Sequence, residues 1–391
     1  MENRISTDIF LPIRAFELAR KKGFATALWR LPHQELIHCV LDFSQEIHAQ
    51  SIDFSAEGFV FSPFNNDNGK KNFFIEAQWS CSSDTDLEER IYFSEGKQKD
   101  FEQELLQESH ALVEAVKTKY VLENSSEKDY MQLVQEAIEY IKAGNCQKIV
   151  VSRRQKVVFE TPPHLGTCFL ALCKAYPQAH VSLVSIPNVG VWMGASPEIL
   201  VSLDKNQVFR TMALAATQAY QGEPLSQATW TQKEIEEQAL VSRYIINAFK
   251  QIRLREFEED GPKTIRAGNL IHLRTDFWVD LKQIHFPNLL PTMLALLHPT
   301  SAVCGMPKNE SLKFIHLNEG YNREFYSGFL GQVNFREETH LFVNLRCMQI
   351  LGREAFLYAG GGITANSHPQ KEWQETVFKM QTLLKVIGQA P

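Results

Sequence analysis

Between Asp129 and Phe159 the chain passes, with no linker, from helical to extended periodicity. No other feature limits the possible folds as much. Tyr130, Leu133, Val134, Ala137, Ile138 and Ile141 recur at the three- and four-residue spacing that places apolar side chains on one helical face. Gly144 suits the residue just past a helix end. KIVVSRRQKVVF, from Lys148 to Phe159, then supplies a β-branched run of strand type, and HVSLVSI, VGVWMGAS and ILVSL repeat that signal downstream. Helices and strands therefore alternate within one unit.

Two later helices are marked more strongly. TQKEIEEQALVSRYIINAFKQI starts at Thr231 and carries Glu234 and Glu237 on one face. In SHPQKEWQETVFKMQTLLKVI, Ser367 can cap, Pro369 suits the first turn, and Glu372 and Glu375 share a face. Residues 1 to about 120 mix short aromatic runs, FVFSPF and NFFIEAQW, with the Gly/Asn turn NNDNGKK, which predicts short strands with a helix or two. LENSSEK, residues 122–128, is the one candidate seam, and no repeat or glycine-serine linker divides the rest. We read a single mixed α+β unit over 1–391, with 1–120 part of the same fold and 128–388 carrying the motifs.

A chain of 391 residues can bury roughly three-quarters of its unfolded surface, so core size is no constraint. Its 40 Lys and Arg against 46 Asp and Glu leave a net charge of −6 and no basic block to neutralise phosphates, which argues against nucleic acid as partner. Seven scattered cysteines, mostly in apolar runs, read as reduced thiols. The stretch MENRISTDIF lacks a signal-peptide core and no apolar run reaches the ~18 residues of a membrane span, so a cytoplasmic protein without membrane partners is expected.

Two glutamate pairs on two helices could face each other across a cleft and hold a hard divalent ion such as Mg²⁺. Each pair also has a plain reading: Thr231 and Glu234 match a capping box, and Glu372 sits in a first turn where the helix dipole favours acid. Lys148, at the head of an apolar strand, is a general base if buried or a snorkelling lysine if not. Glu198 in GASPEIL lies between apolar residues, where a carboxylate is costly unless the site uses it. Gly360, Gly361 and Gly362 form either an anion-binding turn before a helix or a simple tight turn. Arg346 needs an anionic partner, from the protein or from a substrate, and His272 reads as a core histidine.

KIVVSRR, GASPEIL, TMALAAT, KEIEEQ, HLRT, LHPTSAVCGMP, REFYSGFLG, LRC and AGGGITANSHPQKEWQET, taken in order from Lys148 to Lys379, resemble the chorismate-utilising enzymes. That resemblance implies antiparallel sheets flanked by helices around a central cleft that binds chorismate and Mg²⁺. It implies Glu234, Glu237, Glu372 and Glu375 as metal carboxylates. Arg346, Tyr326 and the amides of Gly360 to Gly362 become a carboxylate clamp, with His272, Thr217, Ala302 and Lys379 lining the pocket.

Within such a family, a lysine at 148 and no amine at Ala215 point to water as nucleophile, with Lys148 the base and Glu198 the acid. The expected reaction is then chorismate to isochorismate, feeding menaquinone or a catechol siderophore according to the neighbouring enzymes. A salicylate synthase, which also eliminates pyruvate, is the rival; Ala302 stands where lyase-competent relatives resemble one another in carrying threonine. A non-catalytic relative should have lost Lys148 or a glutamate pair, and all remain. Gln238, Ala216 and the GQV segment depart from the family pattern. The expected assembly is a monomer or weak homo-oligomer.

Overall fold

The computed structural model describes residues 10–44, 48–49, 52–65, 72–86, 96–107, 118–123, 127–267, 270–284 and 286–389. The N-terminal part forms α1 (Leu11–Lys21), β1 (Ala25–Arg30), β2 (Ile37–Asp42), β3 (His48–Ala49), β4 (Gly58–Ser62), β5 (Asn72–Glu76), β6 (Trp79–Ser82), α2 (Gly96–Gln107) and β7 (Thr118–Leu122). Next come α3 (Glu127–Lys142), β8 (Lys148–Phe159), α4 (Leu165–Ala175), β9 (His180–Ile186), β10 (Gly190–Ser196), β11 (Ile199–Leu203) and β12 (Val208–Ala219). Then follow α5 (Gln232–Gln251), β13 (Glu258–Ala267), β14 (Leu270–Asp280), α6 (Leu289–Leu297), β15 (Gly305–Met306) and α7 (Lys308–Asn318). The chain closes with β16 (Phe329–Phe335), β17 (Glu338–Val343), β18 (Cys347–Leu351), β19 (Glu354–Ile363), α8 (Pro369–Ile387) and β20 (Gly388–Gln389).

These strands make two large sheets. One runs β20-β7-β8-β19-β18-β10-β9-β1-β2-β6, with β15 also on β8; the other runs β13-β14-β12-β11-β17-β16-β4-β5-β3. Apart from the parallel β7–β20 contact, the pairings are antiparallel. The strands of the N-terminal part enter both sheets, β1 beside β9 and β4 beside β16. The turn NNDNGKK falls mostly outside the described residues, as does the middle of LENSSEK.

Burial explains the layering. An aromatic core built from β1, β4, β10, β16 and β17 fills the space between the sheets, with Trp29, Phe59, Phe61, Trp192 and Phe342 all buried. Helices α1, α4 and α8 cover the first sheet through Phe16, Phe169 and Leu383, and α3, α5 and α6 pack Val134, Phe249 and Met293 into a second cluster. In α3 the apolar stripe is the one the sequence period implies, Tyr130 to Ile141, and burying it holds the helix in place. The mixed α+β fold of antiparallel sheets flanked by helices is the one expected.

Candidate active site

Helix α5 starts where its chemistry says it should. Thr231 is the N-cap, its hydroxyl accepts from the Glu234 amide, and the Glu234 carboxylate accepts from the Thr231 amide at 2.7 Å, completing a capping box. Gln218 Nε2 donates to both Glu234 oxygens, at 3.0 and 2.9 Å. Glu234 is thus chiefly a cap here. One turn on, Glu237 points inward and pairs with Lys148 Nζ at 3.0 Å.

Across the cleft, α8 begins at Pro369 with His368 as its N-cap and no side-chain capping bond. Ser367 was the expected cap; its hydroxyl instead accepts from the Thr364 amide at 3.2 Å, so it closes the preceding turn. Glu372 is 2 % exposed and pairs with Lys233 Nζ at 2.6 Å, while its Oε2 is buried with no partner among the described residues. Burial and the neighbouring Glu375 raise its pKa to about 7 against the pull of Lys233. Burial would also raise Glu375, but Lys379, 2.6 Å away, together with Lys233 and Arg346, holds it below the ordinary carboxylate value.

Lys148 and Glu198 meet in an inner cavity drawn from both sheets and from α5 and α8. Lys148 opens β8 and is 1 % exposed, so the snorkelling alternative is excluded. Glu198 follows the Ser196-Pro197 corner between β10 and β11 and is 4 % exposed. Burial pushes its pKa up to about 7, opposed by Lys148, Lys379 and Arg346. A carboxyl that exchanges its proton near neutrality is suited to acid catalysis. An outer cavity, which shares Thr217, Glu237 and Glu375 with the inner one, adds Lys233, Glu234 and Glu372 at the mouth.

The three glycines require a correction. Gly360, Gly361 and Gly362 do not form a turn before α8; they lie within β19, opposite Ser152, Val151 and Val150 of β8. Their partners Ser152 and Val150 turn their own amides away from β19, to Glu319 Oε1 and the Cys304 carbonyl. Bareness is their use: a Cβ at Gly362 would overlap Glu237 Oε1 and sit 2.7 Å from Lys148 Cε, and one at Gly361 would lie 2.9 Å from Glu372 Oε2. Small residues there let the ionic side chains lie flat against the strand.

His272 on β14 and Thr217 on β12 line the inner cavity as well. His272 Nδ1 donates to the Ala216 carbonyl at 2.8 Å, which fixes the tautomer and leaves Nε2 a buried acceptor with no partner among the described residues. Burial, with Arg346 and Lys379 nearby, lowers its pKa to about 3, so the ring is neutral. The carbonyl reaches it because β12 bulges between Ala215 and Gln218, with Ala216 at φ +59°. Glycine takes that conformation freely and alanine at a cost of about 1 kcal/mol. Gln238 ties the same place down, donating to the Ala213 carbonyl at 3.2 Å and to Thr275 Oγ1 at 3.0 Å.

Arg346, at φ +48°, lines the cavity, and no carboxylate among the described residues lies within ion-pair distance of its guanidinium. A buried-facing guanidinium without a protein anion is prepared for an anionic ligand. Tyr326 and Ala302 complete the lining, with Lys379, whose Nζ also donates to the Gly360 carbonyl at 2.7 Å. Lys233 and Tyr358 were not anticipated. A lysine in a first helical turn looks solvated in sequence, and Tyr358 reads as an ordinary strand residue.

The donor set fits a hard divalent cation: oxygen donors from two facing helices, one of them a buried carboxylate oxygen lacking a partner. As they stand, however, no three described His, Cys, Asp or Glu side chains converge on one point, because Glu237, Glu372 and Glu375 each turn to a lysine. No helix among the described residues is long and apolar enough to cross a membrane.

The chain is similar to known proteins over most of its length. The chain is 27% identical over 265 residues to isochorismate synthase EntC of Escherichia coli (strain K12), covering 66% of this chain and 67% of that one. It is 26% identical over 274 residues to the vibriobactin-specific isochorismate synthase of Vibrio cholerae serotype O1, covering 68% and 69%. Its fold superposes with TM-score 0.75 on MenF, the menaquinone-specific isochorismate synthase of Escherichia coli, at 21% identity over 96% of this chain and 91% of that one. Residues 28–388 match the family model described as chorismate binding enzyme, and the chain belongs to that family.

Proposed function

We propose that this protein is an isochorismate synthase of the cytoplasm, adding water at C2 of chorismate and expelling the hydroxyl from C4. The observation that carries the reading is the placement of Lys148 and Glu198, both buried, on one cavity where position 215 offers only a methyl group. An amine at 215 would compete as nucleophile; its absence leaves water. Arg346 and Lys379 supply positive charge for a dianionic substrate. A Mg²⁺ ion held by Glu237, Glu372 and Glu375, with Glu234 behind them, would add charge that neutralises a substrate carboxylate.

The amine of Lys148 takes a proton from water as the water oxygen bonds to C2. The ring double bonds C1=C2 and C5=C6 shift to C1=C6 and C4=C5. Glu198 gives its proton to the C4 hydroxyl, which departs as water. One water enters and one leaves, so the change is an isomerisation. Neutral His272 offers Nε2 to a ring hydroxyl, the single O–H donor on a chorismate dianion. Tyr326 and Thr217 bound the ring.

The test is chromatography of products from purified protein, chorismate and MgCl₂. Isochorismate should form, cease in EDTA, and cease in Lys148→Ala. Salicylate with pyruvate would replace this reading by the lyase one, and full turnover by Lys148→Ala would overturn it.

A further inference from the structure

We propose that Lys233 is a built-in counter-cation of the carboxylate cluster, which competes with a divalent metal ion for Glu372 and so sets the metal affinity of the site. The proposal rests on the metal reading above. Three of the four clustered glutamates have a lysine each: Lys148 with Glu237, Lys233 with Glu372 and Lys379 with Glu375. Two of these lysines belong to the inner cavity, and Lys379 has a second tie to the Gly360 carbonyl. Lys233 lines only the outer cavity, and its one side-chain hydrogen bond among the described residues goes to Glu372.

The pair is lopsided in a way that favours exchange. Lys233 is 25% exposed and Glu372 2%. The ammonium, on a flexible stem at the mouth, can swing into water, whereas the carboxylate has nowhere to go. The carboxylate is also only half satisfied, since Oε2 lies buried against Gly361 with no partner among the described residues. An ion reaching Glu372 would answer both oxygens, but only after displacing Lys233. A site that is free for only part of the time binds more weakly by that fraction. The lysine simultaneously screens carboxylates that would otherwise repel, so its removal should loosen α5 from α8.

The experiment compares wild type, Lys233→Met and Lys371→Met. Lys371 is exposed, lines the same cavity and pairs with no described carboxylate, so its loss removes charge alone. Mg²⁺ binding is measured by calorimetry on chelator-stripped full-length protein, and thermal unfolding is followed in EDTA and in saturating MgCl₂. Lys233→Met should bind Mg²⁺ about tenfold more tightly, within the usual range of site coupling. It should melt lower than wild type in EDTA and recover in MgCl₂, while Lys371→Met stays within about twofold of wild type in affinity.

Equal or weaker binding by Lys233→Met, with wild type binding normally, overturns the competition. Equal tightening in Lys371→Met overturns it too, by reducing the effect to general charge. Lys233→Arg keeps the pair and should not tighten; tightening there also counts against the proposal. If Lys233→Met folds only with MgCl₂ the proposal is supported, and if it folds in neither condition it fails. Wild type showing neither heat nor a melting shift with MgCl₂ would sink the metal reading itself, a distinct result.

Discussion

Glu198 is folded against its own ionisation, and that makes it testable apart from any assay. Its folded pKa of about 7 lies above the ordinary carboxylate value because burial outweighs Lys148, Lys379 and Arg346. Below about pH 4 folded and unfolded chains both hold the proton, and nothing is lost. As pH rises to about 7 the unfolded chain ionises first, so stability declines across that window by an amount on the order of 3 kcal/mol. Glu198→Gln should therefore melt higher than wild type at pH 8 and the same at pH 4. Turnover should fall ~10²- to 10⁴-fold. Calorimetry at both pH values and a rate profile check this; a glutamine variant that kept the wild-type alkaline limb would move the acid role elsewhere. The residue was legible from its apolar neighbours. Lys233 was not, because what distinguishes it from any solvated lysine is a carboxylate 139 residues away.

At the scale of elements, periodicity revealed β8 to the residue and the facing glutamates on α5 and α8, since both are local patterns. It misplaced the glycines. Three in a row read locally as a turn, and what makes them a strand is ten-residue pairing with β8. The bulge that turns the Ala216 carbonyl to His272 is equally non-local. Gly362→Ala follows as a clean probe. The new methyl collides with the movable ends of Glu237 and Lys148 rather than with backbone, so the fold should survive. Both side chains must shift, and a displacement of about 1 Å at a reacting group can cost ~10²-fold in rate. Unchanged melting with a hundredfold loss of turnover is expected; normal turnover would detach Lys148 from the chemistry.

For the whole molecule, the motifs cluster after residue 128, which invites the view that the remainder is an appendage. The strand order says otherwise. β1 lies between β9 and β2, and β4 between β16 and β5, so the N-terminal part is threaded through both sheets. Trp29 on β1 donates to Gln332 on β16 at 2.9 Å, and Phe61 on β4 stacks on Phe325 at 4.1 Å. Trp29, Phe59 and Phe61 are fully buried, and each contributes on the order of 2–3 kcal/mol. Together they rival the ~5–15 kcal/mol by which a domain is stable at all. Deleting residues 1–120 would also bare the edges of β9 and β16, which are built to be paired and would recruit other chains. The truncated chain, though it keeps every proposed catalytic and metal-binding residue, should be insoluble or lack a cooperative melting transition, and should not turn over chorismate. Soluble yield and near-ultraviolet circular dichroism measure this. A truncated protein that melted cooperatively would show that the motif-bearing part folds alone and that the interleaving of strands is dispensable.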